Sequence, residues 1–307
     1  FNAAMSLTKL KFACHWDSTE GITDRVLRNW GPAPEGFEST LGEDFDYLIS
    51  FNVSDEMLVT PREKNIIFTM EPDWSSCIQD RILENSYKIF TSVERFSAYD
   101  NVVIAPTLMF HEDSGGSTHN NVKQHGAGIQ KTPEDYISNK DFNKSKKCSI
   151  LLAGHGTSLH PNCRYPQREG FLKRILESQL DVDIYGRNWN ISDSRYKGYA
   201  VFKEDALLDY EFSIAIENSK ENYYISEKFT DCFINNCVPI YDGCNLAHAF
   251  YSPESFEKIN IDGPDPIEQV GKILNNTNKK YQKHVIESKV KYFTDYNIYT
   301  YLKQCVK

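Results

Sequence analysis

Short apolar runs alternate with segments of helical spacing along most of this chain. In the first hundred residues, strand-like runs fall at Leu10–Cys14, Tyr47–Phe51, Asn65–Thr69, Tyr87–Thr91 and Val102–Ala105, with helical patterns around Ile22–Trp30 and Ser75–Glu84. Between His111 and Lys147 large apolar residues become scarce and Gly, Ser, Asn, His and Lys take over, which predicts a linker with one short helix near Pro133–Ile137. The alternation then resumes: strand Ser149–Ala153, helix Gln167–Gln179, strand Val182–Tyr185, helix Glu204–Asp209, strand Phe212–Ile216, helix Ile225–Ile234, and strands Val238–Tyr241 and Lys258–Ile261. Helices are expected over Pro266–Asn275 and most of Lys279–Val306. Strands alternating with helices imply parallel sheets. The expected architecture is therefore two open, Rossmann-like α/β domains facing across a cleft. Their bounds are 5–110 for an N-terminal acceptor-side domain, 111–147 for the linker, 148–290 for a C-terminal domain, and 291–307 for a terminal helix.

Composition narrows the function classes. A 307-residue chain with 40% hydrophobic residues and 13% aromatics can bury a sizeable core, and its formal charge of −9 argues against a general nucleic-acid or membrane-surface binder, since both need a basic face. No apolar run reaches the length of a membrane span, and Lys9 and Lys11 interrupt the Leu7–Trp16 segment. The chain is expected to be soluble, either cytoplasmic or a Golgi-lumenal catalytic domain separated from its anchor. Eight cysteines are scattered without a CxxC pair or zinc-ligand spacing, so they read as buried free thiols.

The densest chemical signal is Glu211–Tyr241, EFSIAIENSKENYYISEKFTDCFINNCVPIY. An apolar run, Phe212–Ile216, breaks into Glu217-Asn218-Ser219, and a helix follows whose first turn holds Glu227 and Lys228. A cation at a helix N-terminus costs a few tenths of a kcal/mol. An anion bound jointly by the lysine and the free backbone N–H groups would account for it, and a solvated lysine is the other reading. This segment resembles the donor-binding signature of the α1,3/α1,4-fucosyltransferase family, written F-x-(I/L)-x-(F/I)-E-N-S, then Y-(I/V)-T-E-K, then a (V/I)-P-(I/V) strand. The resemblance implies a GT-B fold and GDP-fucose as donor substrate, with no cofactor or metal required. It also implies that Asn218, Tyr224, Glu227 and Lys228 line the donor site. The chain departs from the signature at Glu211, Tyr223 and Ser226, where the family usually has Lys, Asp or Gly, and Thr.

Three further segments fit the same family. Arg168 falls in the first turn of a helix that begins after Pro166, the place of an arginine that contacts the donor diphosphate, with Arg164 as the alternative one turn earlier. In VDIYGRNWN, Gly186 permits close approach of backbone to a ligand and Arg187 could serve the nucleotide. Glu71 follows a buried strand at its C-terminal end, where open α/β sheets place ligands, and the resemblance implies that it is the general base. His15 and Trp16, after the first strand, are candidates to face the acceptor. The pairs Asp44/Asp46 and Asp181/Asp183 superficially offer Asp-x-Asp metal motifs, but neither has an evident third ligand, and they are not taken as one.

These readings converge on an inverting, metal-independent glycosyltransferase that moves fucose from GDP-fucose to a glycan hydroxyl in an α1,3-type link. Its partners would be a nucleotide sugar and a glycan acceptor. The same scaffold using a UDP-sugar, as a xylosyltransferase would, and a silent glycan-binding module are the alternatives.

Overall fold

The computed structural model describes residues 7–111, 131–154 and 160–306. The chain divides into two compact units, Phe1–Pro133 with Phe293–Lys307, and Glu134–Tyr292. The expected linker is only partly described: 112–130 lie outside the described residues, while helix α4 (Pro133–Ser138) and the first residues of strand β7 (Lys146–Leu151) fall within the remainder. Among the described residues no helix is long and apolar enough to cross a membrane.

The first unit is a six-stranded parallel sheet in the order β2-β1-β3-β4-β5-β6, built from β1 (Thr8–Cys14), β2 (Phe37–Ser39), β3 (Tyr47–Phe51), β4 (Asn65–Phe68), β5 (Lys88–Thr91) and β6 (Val102–Ile104). Its apolar runs are continuous because both faces are covered. Alternate residues serve different layers: Leu10, Phe12, Ile49, Phe51, Ile66, Phe68 and Phe90 pack on one face with Ile22 and Val26 of α1 (Thr19–Trp30). Ala13, Leu48, Ile67 and Ile89 pack on the other with Met57 of α2 (Asp55–Val59) and Ile82 of α3 (Arg81–Glu84).

The expected helix over Ser75–Glu84 is reduced to its last turn. Ser75 Oγ accepts the Cys77 N–H at 3.3 Å, a local bond that competes with helical pairing.

The second unit repeats the theme in the order β12-β11-β10-β7-β8-β9, again all parallel. Its strands are β7 (Lys146–Leu151), β8 (Asp183–Tyr185), β9 (Tyr196–Gly198), β10 (Tyr210–Ile216), β11 (Val238–Asp242) and β12 (Glu257–Lys258). After α4 its helices are α5 (Tyr165–Glu177), α6 (Glu227–Ile234), α7 (Ala247–Phe250), α8 (Pro266–Leu274) and α9 (Gln282–Thr294). The helix expected over Glu204–Asp209 is a single 3-10 turn, Lys203–Ala206, because the chain must extend again to enter β10 at Tyr210.

The terminal helix expected at 291–307 is interrupted. Helix α9 stops at Thr294 and a new helix, α10 (Ile298–Leu302), starts behind Asn297, whose side chain accepts the Tyr299 N–H at 2.8 Å. Ile298, Tyr299, Tyr301 and Leu302 then complete the core of the first unit.

In each sheet the strand order reverses beside one central strand, between β1 and β3 in the first unit and between β7 and β10 in the second. Loops leave such a point in opposite directions, opening a crevice at the carboxyl ends of the strands. In the second unit that edge includes Gly186, after β8. A Cβ there would lie 1.9 Å from the Leu152 carbonyl oxygen, so only glycine fits. Gly186→Ala is expected to lower Tm by about 6 °C or more in a thermal melt, as a backbone clash of this kind costs roughly 3 kcal/mol.

Candidate functional site

Strand β10 ends at the crevice of the second unit, and the first residue beyond it, Glu217, is not the solvated loop carboxylate its sequence context suggests. It is completely buried. Its Oε1 accepts the Ser226 N–H at 2.7 Å and its Oε2 accepts the Ser226 hydroxyl at 2.5 Å, while the Tyr241 hydroxyl donates to Oε1 at 3.3 Å. Ser226 is the N-cap of α6, its Oγ accepting the Lys228 N–H. Glu217 thus fastens the end of β10 to the start of α6 and, through Tyr241, to β11. The approach is so close that a Cβ on Gly243 would stand 2.3 Å from the Glu217 side chain.

Glu227 and Lys228 open α6, as the sequence predicts. The lysine is not simply solvated: its Nζ donates to Ser226 Oγ and to Glu227 Oε1, each at 3.2 Å. Lys203, from the 3-10 turn before β10, reaches the same Glu227 oxygen at 3.0 Å and Asp231 at 3.5 Å. Burial raises the Glu227 carboxyl, but Lys203 and Lys228 outweigh it and hold the group below the usual range. Glu217 goes the other way: burial pushes it up, more than Lys228 and the Ser226 bonds pull it down.

Arg168 occupies the first turn of α5 and is only 3% exposed, yet its guanidinium Nε is buried with no hydrogen-bond partner. It lies 5.5 Å from the Tyr165 ring, and burial lowers its affinity for a proton, against the fields of Glu217, Tyr165, Tyr224 and Glu227. Asn218 carries a second unsatisfied atom, its buried Oδ1, while its carbonyl accepts the Arg164 N–H at 3.0 Å. Native structures leave few buried polar atoms unpaired, and those that remain commonly await a ligand or water. Arg164, the alternative to Arg168, has a different role. It pairs with Asp242 at 2.9 Å and Asp262 at 2.8 Å, tying the entrance of α5 to the end of β11.

The second unit therefore gathers Arg168, Asn218, Tyr224, Glu227 and Lys228 around the β10 end of its sheet. Arg187 is exposed after β8, at the same edge, its carbonyl accepting the Gly154 N–H at 3.0 Å. Glu71, His15 and Trp16 belong to the first unit, all at the carboxyl edge of that sheet. Glu71 follows Met70, whose N–H donates to Asn52 Oδ1 at 2.7 Å, Asn52 holding a left-handed φ of 57° after β3. His15 and Trp16 meet edge to face at 4.9 Å.

Three of the four Asp-x-Asp carboxylates are engaged elsewhere. Asp44 and Asp46 bind Lys9, and Asp183 accepts the Tyr210 hydroxyl at 2.7 Å and pairs with Lys197. Glu211 lies at the opposite end of β10 from the site, bonded to Lys147 and the Asn278 N–H. Its departure from the signature is thus not a departure in the crevice. Lys203 and Glu217 were missed in the sequence. Lys203 stands 24 positions before its partner Glu227, a separation no local pattern encodes, and Glu217 opens the polar run Glu217-Asn218-Ser219, where nothing local marks its burial.

Comparison with known proteins converges on the same segment. Residues 143–294 match the family model described as glycosyltransferase family 10 (fucosyltransferase), C-terminal. A fucosyltransferase-like protein of Arabidopsis thaliana is 30% identical over 101 residues, 33% of this chain and 18% of that protein. A protein of Acanthamoeba polyphaga mimivirus described as a fucosyltransferase is 23% identical over 275 residues, 84% of this chain and 39% of that protein. The chain thus spans less than half the length of these relatives. A crystal structure of an α1,3-fucosyltransferase superposes with a TM-score of 0.54 at 16% identity, covering 92% of this chain and 83% of that one. Another, with GDP-fucose, gives 0.52 at 15% identity, covering 96% and 92%. These likenesses show a GT-B-like fold of two parallel-sheet α/β units.

The buried carboxyl makes a pH-dependent prediction. Because the folded state holds the Glu217 proton more tightly than the unfolded chain, this group's contribution to stability falls as pH rises above its ordinary value of 4.5. Glu217→Gln removes that contribution. The stability difference, variant minus wild type, should therefore become more favourable to the variant as pH rises from 5 to 7.5 in urea titrations, and a difference that stays constant over that range would contradict it.

Proposed function

We propose, from the match of residues 143–294 to the family model of glycosyltransferase family 10, the fucosyltransferases, that the chain transfers fucose from GDP-fucose to a glycan hydroxyl, with inversion, forming an α1,3-type link. The observation that carries this reading is Arg168. A buried arginine whose Nε has no hydrogen-bond partner, close to Glu227 at the start of α6, suits a diphosphate.

In this reaction the acceptor oxygen forms a bond to the anomeric carbon as the bond from that carbon to the diphosphate oxygen breaks. The electron pair leaves with GDP, and the acceptor proton passes to the Glu71 carboxylate. Arg168, Lys228 and the N–H groups of α6 stabilise the charge that builds on the diphosphate, with no cofactor assigned a part. Glu227 and Asn218 orient hydroxyls of the sugar and ribose, Tyr224 packs or hydrogen-bonds at the same place, and Arg187 serves the nucleotide. His15 and Trp16 are assigned to the acceptor.

Thermal shift against GDP-fucose, GDP-mannose, UDP-xylose, UDP-galactose and UDP-glucose, each with EDTA, tests the donor. Stabilisation by GDP-fucose that is lost in Lys228→Ala is the expected result. Stabilisation by a UDP-sugar would contradict the fucosyl assignment, and no response to any of them would favour the binding-module reading. Glu71→Gln should retain donor stabilisation and lose about 100-fold or more in kcat, whereas Arg168→Met should lose both donor stabilisation and about 100-fold in rate.

A further inference from the structure

Helix α6 presents two carboxylates one turn apart, Glu227 and Asp231, with side chains only 16% and 4% exposed. Like charges at this spacing repel, and more strongly where water is excluded. Lys203 bridges them, at 3.0 and 3.5 Å, from a 3-10 turn held between β9 and β10. Its ammonium shares Glu227 Oε1 with Lys228. The two lysines are not equivalent. Lys228 belongs to the donor site as read above, so in a donor complex its charge turns toward the diphosphate and away from Glu227.

We propose that Lys203 is a positioning residue that keeps Glu227 ionised and oriented to accept hydrogen bonds from donor hydroxyls while Lys228 is engaged with the diphosphate. This inference rests on the transferase reading. An ionised carboxylate is an acceptor only, and protonation would convert one of its oxygens to a donor and loosen its hold on a hydroxyl. The charged groups around Glu227 include Lys228 and Asp231 on its own helix, Lys203 from the 3-10 turn, Glu217 at the end of β10 and Arg168 on α5, with Tyr224, from the loop before α6, near Arg168. Lys203 also contacts Asp231, at 3.5 Å. Its removal restores the repulsion along the helix as well as withdrawing a countercharge.

The test is the pH dependence of GDP-fucose affinity, measured by calorimetry for wild type, Lys203→Met, Lys203→Arg and Lys203→Met combined with Glu227→Gln. Lys203→Met should move the acid limb of the affinity profile up by about one pH unit or more, Lys203→Arg should restore it, and the shift should vanish in the Glu227→Gln background. A Lys203→Met profile that superposes on wild type, or a shift that persists without the Glu227 carboxyl, would overturn the proposal. If wild type binds no GDP-fucose, the transferase reading fails instead. The 13C titration of the Glu227 carboxyl in wild type and Lys203→Met then still decides the charge clamp: a midpoint raised by about one unit supports it, and an unchanged one removes it.

Discussion

Glu217 is the joint on which the second unit's crevice depends. Its two oxygens take the backbone and side chain of the residue that caps α6, and the same carboxyl receives the Tyr241 hydroxyl from β11. Strand end, helix start and neighbouring strand are thereby fixed against one another by one side chain with no exposed surface. The stability of a helix as short as α6 comes from packing rather than propensity, and Phe229, Phe233 and Ile234 bury its apolar face. What Glu217 adds is direction. It sets where the free N–H groups of the first turn point, and so where Glu227 and Lys228 stand.

Around that joint the charges balance without being fully paired. Lys203 and Lys228 share Glu227, Lys220 and Arg164 share Asp242, but Arg168 lies buried with its Nε unbonded. Burying a guanidinium Nε without a hydrogen-bond partner is costly, and burial lowers the group's hold on its proton. On the proposed reading, such an arrangement weakens the empty protein and strengthens its hold on a diphosphate. The same logic applies to Asn218, whose buried Oδ1 is held at the crevice with nothing to accept.

Much of this was legible in the sequence because it is local. Phe212, Ile214 and Ile216 form an apolar face, with Ser213 and Ala215 small on the other, as a strand buried on both faces allows, and Glu227-Lys228 follow a serine that caps a helix. Arg168 was recoverable from Pro166 at the helix start. What was not legible depends on distance along the chain. Arg164 meets Asp242 and Asp262, Lys203 meets Glu227, and α10 returns to the first unit's core, each across a separation that no local pattern encodes. The short edge strands, Phe37–Ser39 and Tyr196–Gly198, carry too few residues to show a period, and in Ser75–Glu84 the Ser75 side chain takes a backbone N–H that a helix would need.

The central claim is that the crevice beside β7 and β10 holds a nucleoside diphosphate through Arg168 and the start of α6. The most direct test is the 31P spectrum of GDP titrated with the protein in EDTA. The account predicts that both phosphorus resonances shift saturably, the β-phosphate more than the α, and that Arg168→Met abolishes the shift. A spectrum that the protein leaves unchanged, or a shift that survives loss of Arg168 undiminished, would contradict it.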